Sequence, residues 1–221
     1  MRTHAGSSDD QTRARLLEAA GQIFAEEGYH WAKIRAICVR ANANVASVNY
    51  HFGDKLGLYR EVLRRSIASA VDESRLSLIQ STLDPREKLR IFVETILSAV
   101  FEHERPAWHV KLMLQEMAQP TPALDVIVDQ LIRPKYRLLC QIVGAILGCP
   151  ADTQLAQLCA HSVIGQVRHY LIAGDVIGRI WPEFSFDRRT FELVVNHILT
   201  FSFAGMEALR RREPQAKRRL R

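Results

Sequence analysis

Apolar residues recur every three or four positions along nearly the whole chain, and no segment alternates between apolar and polar residues as a strand would. Residues that start and stop helices divide this pattern at regular intervals. The sequence therefore predicts an all-α fold of about nine helices. The predicted helices span residues 9–28, 33–40, 44–51, 54–80, 85–103, 107–118, 122–147, 152–173 and 187–210.

Individual residues set the predicted helix ends. Asp84 precedes a proline and is expected to cap the helix that follows, and Asp152 and Asp187 are expected to cap later helices. Gly148 is expected to end a helix, because glycine adopts a left-handed backbone without strain. Pro134 lies inside a helical pattern and predicts a kink there, because proline has no N–H to donate.

Two of the predicted helices are short and nearly adjacent in the chain. Helices 33–40 and 44–51 are too short to be stable alone, so they must pack against each other and against the preceding helix. Either Val45 or Val48 supplies the inward face of the second one. This arrangement predicts a helix-turn-helix.

The connections of this motif use glycine and asparagine. Gly28 ends the apolar stripe of the first helix, where a left-handed residue is typical. Asn42 occupies the turn position that usually holds glycine, and asparagine is among the residues that best tolerate positive φ. Asn44 is expected to cap the second short helix.

The outward face of helix 44–51 carries side chains suited to DNA. Asn49 can pair with an adenine edge, Ser47 can contact either base type, and Tyr50 and His51 suit phosphates. Lys55 follows in the first turn of the next helix, where backbone N–H groups also favour an anion. These residues predict a DNA-binding surface.

The sequence resembles the TetR family of one-component transcriptional regulators over about residues 10–60. The matching residues are Thr12-Arg13, Leu16-Leu17-Glu18-Ala19-Ala20, Phe24-Ala25-Glu26-Glu27-Gly28-Tyr29, Ile34-Arg35, Ile37 and Asn49-Tyr50-His51-Phe52-Gly53-Asp54-Lys55. A subgroup with a CecR-like C-terminal domain is similar over residues 43–53, and again over four later segments. These are Glu104-Arg105-Pro106-Ala107-Trp108-His109, the run from Met113 to Leu124, and the pair Ile132-Arg133-Pro134 with Ile164-Gly165-Gln166.

The resemblance implies base contacts by the recognition helix and phosphate contacts around it. The base contacts would fall on Val45, Ala46 and Ser47, and the phosphate contacts on Thr12, Lys33, Tyr50, His51 and Lys55. Three departures stand out: Asn42 replaces the turn glycine, Ala32-Lys33 replaces a Ser/Thr pair, and Leu56 replaces an acidic residue. The second departure removes a helix cap but adds a cation.

The remainder of the chain is expected to bind an effector and to dimerise. The expected divisions are a disordered N-terminus at 1–8, the helix-turn-helix domain at 9–56, an effector-binding and dimerisation domain at 57–210, and a basic tail at 211–221. The resemblance implies a small-molecule pocket, for which the lining residues would be Trp108, Met113, Met117, Tyr136, Gln166 and His169. For each of these residues, a place in the ordinary hydrophobic core remains an alternative.

The family also implies a homodimer formed by the last two long helices. Apolar residues beyond the needs of one helix face support this in helix 187–210: Leu193, Val194, Ile198, Phe201 and Met206. Two-fold symmetry then predicts a palindromic double-stranded DNA operator with half-sites about 34–36 Å apart. The expected function is a ligand-responsive repressor, in which an effector signal reaches the DNA through helix 54–80.

The net charge of +6 adds a second hypothesis. Residues 210–221 contain seven basic residues and one acidic residue, so the rest of the chain is neutral. The basic bias therefore belongs to an end that is expected to be disordered. A non-specific nucleic-acid binder that uses this tail remains an alternative to the regulator.

The other features of the sequence favour no catalytic or cofactor chemistry. No phosphate-binding glycine loop, HExxH or nucleophile elbow occurs, so an enzyme on the same scaffold is the weaker alternative, and no cofactor is expected. The histidine pairs His103/His109 and His161/His169 lack the spacing of a zinc site. The four scattered cysteines are expected to be free thiols. The polar N-terminus and the lack of a long apolar run predict a cytoplasmic protein without a membrane partner.

Overall fold

The computed structural model describes residues 5–70, 73–101 and 107–219. All secondary-structure elements assigned within these ranges are helices, which confirms the predicted all-α class. The helices are α1 (Ala5–Trp31), α2 (Ile34–Ala41), α3 (Val45–Phe52), α4 (Lys55–Ala70), α5 (Glu73–Ser81), α6 (Pro85–Phe101), α7 (Ala107–Ala118), α8 (Leu124–Ile127), α9 (Arg133–Leu147), α10 (Gln154–Ile172), α11 (Gly174–Ile180) and α12 (Arg188–Arg219). A π-helical turn, Val128–Ile132, lies between α8 and α9.

The chain forms two compact units. The first comprises Met1–Val71 and Arg105–Ile132, and the second comprises Asp72–Glu104 and Arg133–Arg221. These boundaries differ from the expected domains because α7 and α8 pack with α1 and α4. The helix-turn-helix is therefore part of a larger unit than the sequence indicated.

The core of the first unit is built on α1. Its predicted stripe, which includes Leu16 and Phe24, is buried, and α2 and α3 add Ile37 and Val48. Leu112 of α7 completes the same cluster together with residues of α4 and α8. Burial of these apolar side chains is what holds the short helices in place, since neither would be stable alone.

The second unit has a separate core between α6, α9, α10 and α12. Val93, Val143, Ala160 and Val195 are fully or almost fully buried within it. Helical spacing of such residues predicted a helix at each of these places, but the predicted helix 122–147 is divided into α8, the π-helical turn and α9. The short helix α11 was not predicted, because its seven residues contain two glycines and too few turns to show a periodic pattern.

The predicted caps are confirmed at three helix ends and wrong at one. Asp84 Oδ1 accepts the Arg86 N–H at 2.9 Å, Asp187 Oδ1 accepts the Thr190 N–H at 2.8 Å, and Gly148 has φ 73°. Asp152 does not cap α10. Thr153 takes that position, because its hydroxyl accepts the Ala156 N–H at 3.3 Å and α10 begins one residue later than a cap at Asp152 would require.

Several helix boundaries also differ from the prediction. α1 already begins at Ala5 and α12 continues to Arg219, so residues 5–8 and 211–219 are helical where disorder was expected. Residues 1–4 and 220–221 of the expected disordered ends lie outside the described ranges. The predicted helix 54–80 corresponds to α4 and α5, and its residues 71–72 lie outside the described ranges.

The irregularity predicted at Pro134 is confirmed. The π-helical turn Val128–Ile132 ends two residues before this proline, and regular α-helix resumes at Arg133. A proline cannot donate the backbone hydrogen bond that a continuous α-helix needs, so the preceding turn adopts another pattern.

The four cysteines are free thiols, as expected, and Cys38, Cys140 and Cys159 are buried while Cys149 is partly exposed. Among the described helices, none combines the length and the apolar character needed to cross a bilayer.

Candidate nucleic-acid interface

The turn between α2 and α3 depends on Asn42. Its backbone is left-handed, with φ 47° and ψ 55°, and its N–H donates to the Val39 carbonyl at 3.2 Å. Within the described residues it is the single non-glycine with positive φ. The prediction that Asn42 replaces the usual glycine is confirmed.

Asn44 caps α3, as predicted. Its Oδ1 accepts the Ser47 N–H at 2.8 Å and the Ser47 hydroxyl at 3.0 Å. The second bond was not anticipated and bears on recognition. Because the hydroxyl hydrogen of Ser47 is directed at Asn44, the lone pairs of this oxygen are left to accept a hydrogen bond from a base.

The structure decides which valine of α3 points inward. Val48 is buried at 1% exposure, whereas Val45 is 42% exposed. Ala46 and Asn49 are also exposed, and the phenol of Tyr50 is 76% exposed. α3 therefore presents one face to the core and leaves the predicted base-reading face open.

An open concavity of about 520 Å³ brings α1 and α3 together at this face. It is lined by Asp9, Thr12, Asn44, Ala46, Ser47, Tyr50 and His51. Thr12 is thus placed next to the recognition helix, although 34 residues separate it from Ala46. Polar groups from two helices converge here on a surface that is too open to enclose a small ligand.

The outward orientation expected of His51 is wrong. Its side chain is 7% exposed, and its Nε2 lies 3.4 Å from Asp9 Oδ1. The imidazole also packs against the rings of Tyr50 and Phe52, with centroids 5.0 and 5.8 Å away. His51 can reach a phosphate only if its contact with Asp9 is released.

Lys55 begins α4, as predicted, but its ammonium is already held by the protein. Nζ donates to the His30 carbonyl at 3.2 Å and lies 4.8 Å from the centroid of the Tyr29 ring. Desolvation lowers the pKa of Lys55, while Glu27 opposes this shift. The side chain is thus oriented in advance beside the end of α1.

Ala32-Lys33, which replaces the family's Ser/Thr pair, leaves α2 without a side-chain cap, as expected. Lys33 is the exposed N-cap of α2 and makes no side-chain capping bond, and Ala32 is buried at 3% exposure. The side chain of the N-cap residue therefore accepts none of the first N–H groups of α2, although the Lys33 carbonyl accepts the Ala36 N–H at 3.0 Å.

Sequence reasoning missed three residues around this surface. Asp9 faces His51, and Arg13 stacks over the Phe52 ring at 5.6 Å while it pairs with Glu61 at 2.6 Å. Trp31 is 80% exposed. The signal for Trp31 was an aromatic residue directly after the helix break at Gly28, outside the apolar stripe of α1.

Comparison with known proteins matches a protein family to each of two parts of the chain. Residues 16–62 match the profile of bacterial regulatory proteins of the tetR family, and residues 85–206 match the C-terminal domain of the HTH-type transcriptional dual regulator CecR. The second match covers more than half of the chain. The chain belongs to the TetR family, in the group with a CecR-like C-terminal domain.

Two curated TetR-family relatives illustrate the degree of similarity. The transcriptional activator FasR of Mycolicibacterium smegmatis is 33% identical over 117 residues, which cover 53% of this chain and 52% of FasR. The dual regulator CecR of Shigella flexneri is 25% identical over 198 residues, which cover 84% of this chain and 86% of CecR. The matched part thus spans about half of FasR but most of CecR.

Solved structures share the TetR-family fold. FadR of Bacillus subtilis, solved in complex with stearoyl-CoA, superposes with a TM-score of 0.64 at 15% identity and covers 87% of this chain and 98% of FadR. A TetR-like regulator from Rhodococcus sp. RHA1 gives a TM-score of 0.62 at 20% identity, with coverage of 89% and 96%. At these identities the likeness shows the fold alone.

The six residues predicted to line an effector pocket are divided between the two units. Trp108, Met113 and Met117 lie on α7 of the first unit, and Tyr136, Gln166 and His169 lie on α9 and α10 of the second. Trp108 and Met113 are partly buried and pack against the core of the first unit.

The second-unit members have different surroundings. Tyr136 packs against the core, Gln166 donates to the Ser202 hydroxyl at 3.1 Å, and His169 is exposed. Gln166 and His169 line an open groove of about 510 Å³ between α10 and α12. Within the described ranges, no group of three or more metal-ligating side chains occurs, and His103 lies outside them.

Proposed function

We propose that this TetR-family protein is a repressor that binds a palindromic operator as a homodimer and is released by a small-molecule effector. The observation that carries the proposal is the open face of α3, which shares a concavity with Thr12 of α1. Lys33 and Lys55, at the starts of α2 and α4, add cations to the same unit. Base-reading side chains and phosphate-binding cations are the groups that such a function requires. Bacterial operators lie in the cytoplasm, so the proposal includes that location.

In the proposed complex, α3 lies in the major groove. Val45 and Ala46 offer apolar contacts to thymine methyl groups, and Asn49 offers an amide to an adenine edge. The oxygen of Ser47 accepts from an exocyclic amino group, because its own hydrogen is held by Asn44. Phosphates are bound by Thr12, Lys33, Tyr50 and Lys55, and by His51 once it leaves Asp9.

The proposed dimer interface is the exposed apolar surface of α10 and α12. Leu193 and Phe201 of α12 are 61% and 65% exposed, and Leu158 and Ile172 of α10 are 57% and 52% exposed. A surface of this kind is typical of an interface. The other α12 residues expected to contribute, Val194, Ile198 and Met206, are instead buried in the unit's own core.

The proposed effector response rests on the family and on the fold. FadR, which shares the fold, was solved with stearoyl-CoA, so this architecture accommodates a small molecule. An effector that prefers the DNA-free conformation would weaken operator binding by about 1–3 kcal/mol, its differential binding energy. The relatives include an activator, a dual regulator and a repressor. The proposal that this protein represses therefore has to be tested by a measurement of transcription.

Footprinting of the DNA upstream of the protein's own gene tests the DNA-binding part. We expect a protected palindrome that Tyr50→Ala abolishes and that Lys111→Ala, an exposed change on α7, leaves intact. Transcription from the same fragment should fall when the protein is added. Protection spread evenly over the fragment, or a rise in transcription, would contradict the proposal.

Sedimentation tests the dimer, and ligand screening tests the effector. Phe201→Glu should yield monomers, whereas Leu83→Glu, at a residue 93% exposed, should not. Metabolites that raise the melting temperature are then titrated into the operator complex. If every stabilising compound leaves operator affinity unchanged, the effector part fails.

A further inference from the structure

Trp31 lies in a segment that leaves the axis of α1. Gly28 has φ 79° and ψ 160°, so the chain turns there before α2 begins. Tyr29 then packs inward, with its ring 4.8 Å from that of Tyr59, while Trp31 is 80% exposed. The backbone turn thus places one aromatic ring, partly buried, against the core and presents the other to the surroundings.

We propose that the indole of Trp31 contacts the sugar–phosphate backbone of the operator and forms a second anchor beside the recognition helix. The inference rests on the proposed DNA binding and extends it to a residue outside the predicted contact set. Its partner is the DNA backbone rather than a base. Trp31 would thus strengthen binding without selecting a sequence.

The first argument is continuity with the phosphate-binding lysine. The Lys55 ammonium donates to the carbonyl of His30, the residue immediately before Trp31, at 3.2 Å. A phosphate that approaches Lys55 therefore also approaches this segment. The carbonyl that orients Lys55 is thus one residue from Trp31 in the chain.

The second argument is charge complementarity. Lys33 follows Trp31 by two residues and is exposed at the start of α2. The Lys55 ammonium, in turn, is bound to the residue before Trp31 in the chain. A polyanion is the partner that such a pair of cations attracts, and it releases counterions when it binds.

The third argument is the chemistry of the side chain. An indole offers an apolar face that can cover a deoxyribose and an N–H that can donate to a phosphate oxygen. Trp108 uses its own indole in an internal contact, because its Nε1 donates to Glu18 at 3.1 Å. At 80% exposure, most of the Trp31 surface is left to contact a partner.

Operator affinity measured over a range of salt concentrations tests the proposal. Partial burial of the indole predicts that Trp31→Ala weakens binding about five- to tenfold, and Trp31→Phe should lose less. The loss should be the same at every salt concentration, because no charge is removed. Lys33→Ala should instead lower the salt slope by about one.

Val39→Ala is the matched control, because Val39 is 82% exposed on α2 and is not part of the segment. We expect it to bind the operator as the wild type does. All these variants should keep the wild-type unfolding midpoint, since the changed side chains are exposed. Operator affinity of Trp31→Ala equal to that of Val39→Ala would overturn the inference.

Acrylamide quenching of tryptophan fluorescence gives an independent readout. The difference between wild type and Trp31→Phe isolates Trp31 from the two other tryptophans. We expect strong quenching of Trp31 in the free protein and protection on operator binding. Continued quenching of Trp31 in the operator complex would overturn the inference. Protection of Trp31 that a higher protein concentration produces without DNA would also overturn it.

The same experiments separate this inference from the proposed function. If Tyr50→Ala abolishes the footprint while Trp31→Ala changes nothing, the regulator stands and the Trp31 contact falls. If the wild type protects no DNA, both fall.

Discussion

Tyr59 and Glu116 form a buried hydrogen bond between α4 and α7. The phenol donates to Glu116 Oε2 at 2.7 Å, and both residues are 1% exposed. Glu116 Oε1 accepts the Thr121 N–H at 2.8 Å and the Thr121 hydroxyl at 2.9 Å. One buried carboxyl group therefore joins α4, which begins at Lys55, to α7 and to the turn before α8.

Tyr59→Phe should destabilise the protein. It removes a donor from a buried carboxyl group, which costs about 1–3 kcal/mol of unfolding free energy. Urea titration measures this loss. Tyr50→Phe, at a phenol 76% exposed, is the control and should stay near the wild type. Equal stability of the two variants would show that the bond contributes nothing.

The stabilisation by Tyr59 should disappear in strong alkali. Burial and the hydrogen bond to Glu116 raise the pKa of the Tyr59 phenol above its usual 10.0, so the folded protein holds this proton more tightly than the unfolded chain does. The contribution is complete below pH 10.0 and is lost as the pH rises above it.

Comparison with Tyr59→Phe isolates this group from the partly buried tyrosines Tyr29, Tyr136 and Tyr170. The stability difference between wild type and variant, measured by urea titration, should shrink from pH about 8 to pH about 11. A difference that is constant over this range would contradict the assignment.

Gly21→Ala should disturb the packing of α1 against α7 and destabilise the protein. A Cβ on Gly21 would overlap with Trp108 Cη2, so the indole must move and strain its hydrogen bond to Glu18. Such overpacking costs about 1–3 kcal/mol, measured as a loss of unfolding free energy. In a double variant with Trp108→Leu the penalty should be smaller than the sum of the two single effects.

Gly178→Ala is the matched control for this prediction. No heavy atom lies within 4 Å of the Cβ that it would add within α11. Alanine is favoured over glycine inside a helix, so the control should be neutral or more stable. Gly21→Ala with the stability of this control would exclude the predicted clash.

The local parts of the helix-turn-helix were predictable because they depend on short-range backbone chemistry. Positive φ at Gly28 and Asn42 and the cap at Asn44 each follow from one residue and its immediate neighbours. The all-α class follows in the same way from helical periodicity.

The contacts that could not be predicted join residues far apart in sequence. Periodicity shows that Trp108 belongs to a helix face, but it does not show that Gly21 is the residue it meets. In the same way nothing local indicates that Asp9 faces His51 at 3.4 Å. An expectation of an outward imidazole was therefore wrong, although the helix that carries it was correctly placed.

Asn42→Ala should destabilise the turn, and Asn42→Gly should not. The backbone at φ 47° places a Cβ close to the following carbonyl, which costs about 1–2 kcal/mol for an ordinary side chain and nothing for glycine. Asn49→Ala, at an exposed asparagine of α3, controls for loss of the amide and should keep the wild-type unfolding free energy. Equal stability of the alanine variants at both positions would contradict a strained turn.

Truncation after Arg211 should weaken DNA binding without loss of operator selectivity. It removes five basic residues and one acidic residue, so affinity for random and operator DNA should both fall and the salt slope should decrease. Selectivity should persist, because the base-reading side chains are on α3. Replacement of the five basic residues by glutamine separates charge from length and should have the same effect. If either variant loses the distinction between operator and random DNA, the tail, not the recognition helix, carries the binding function.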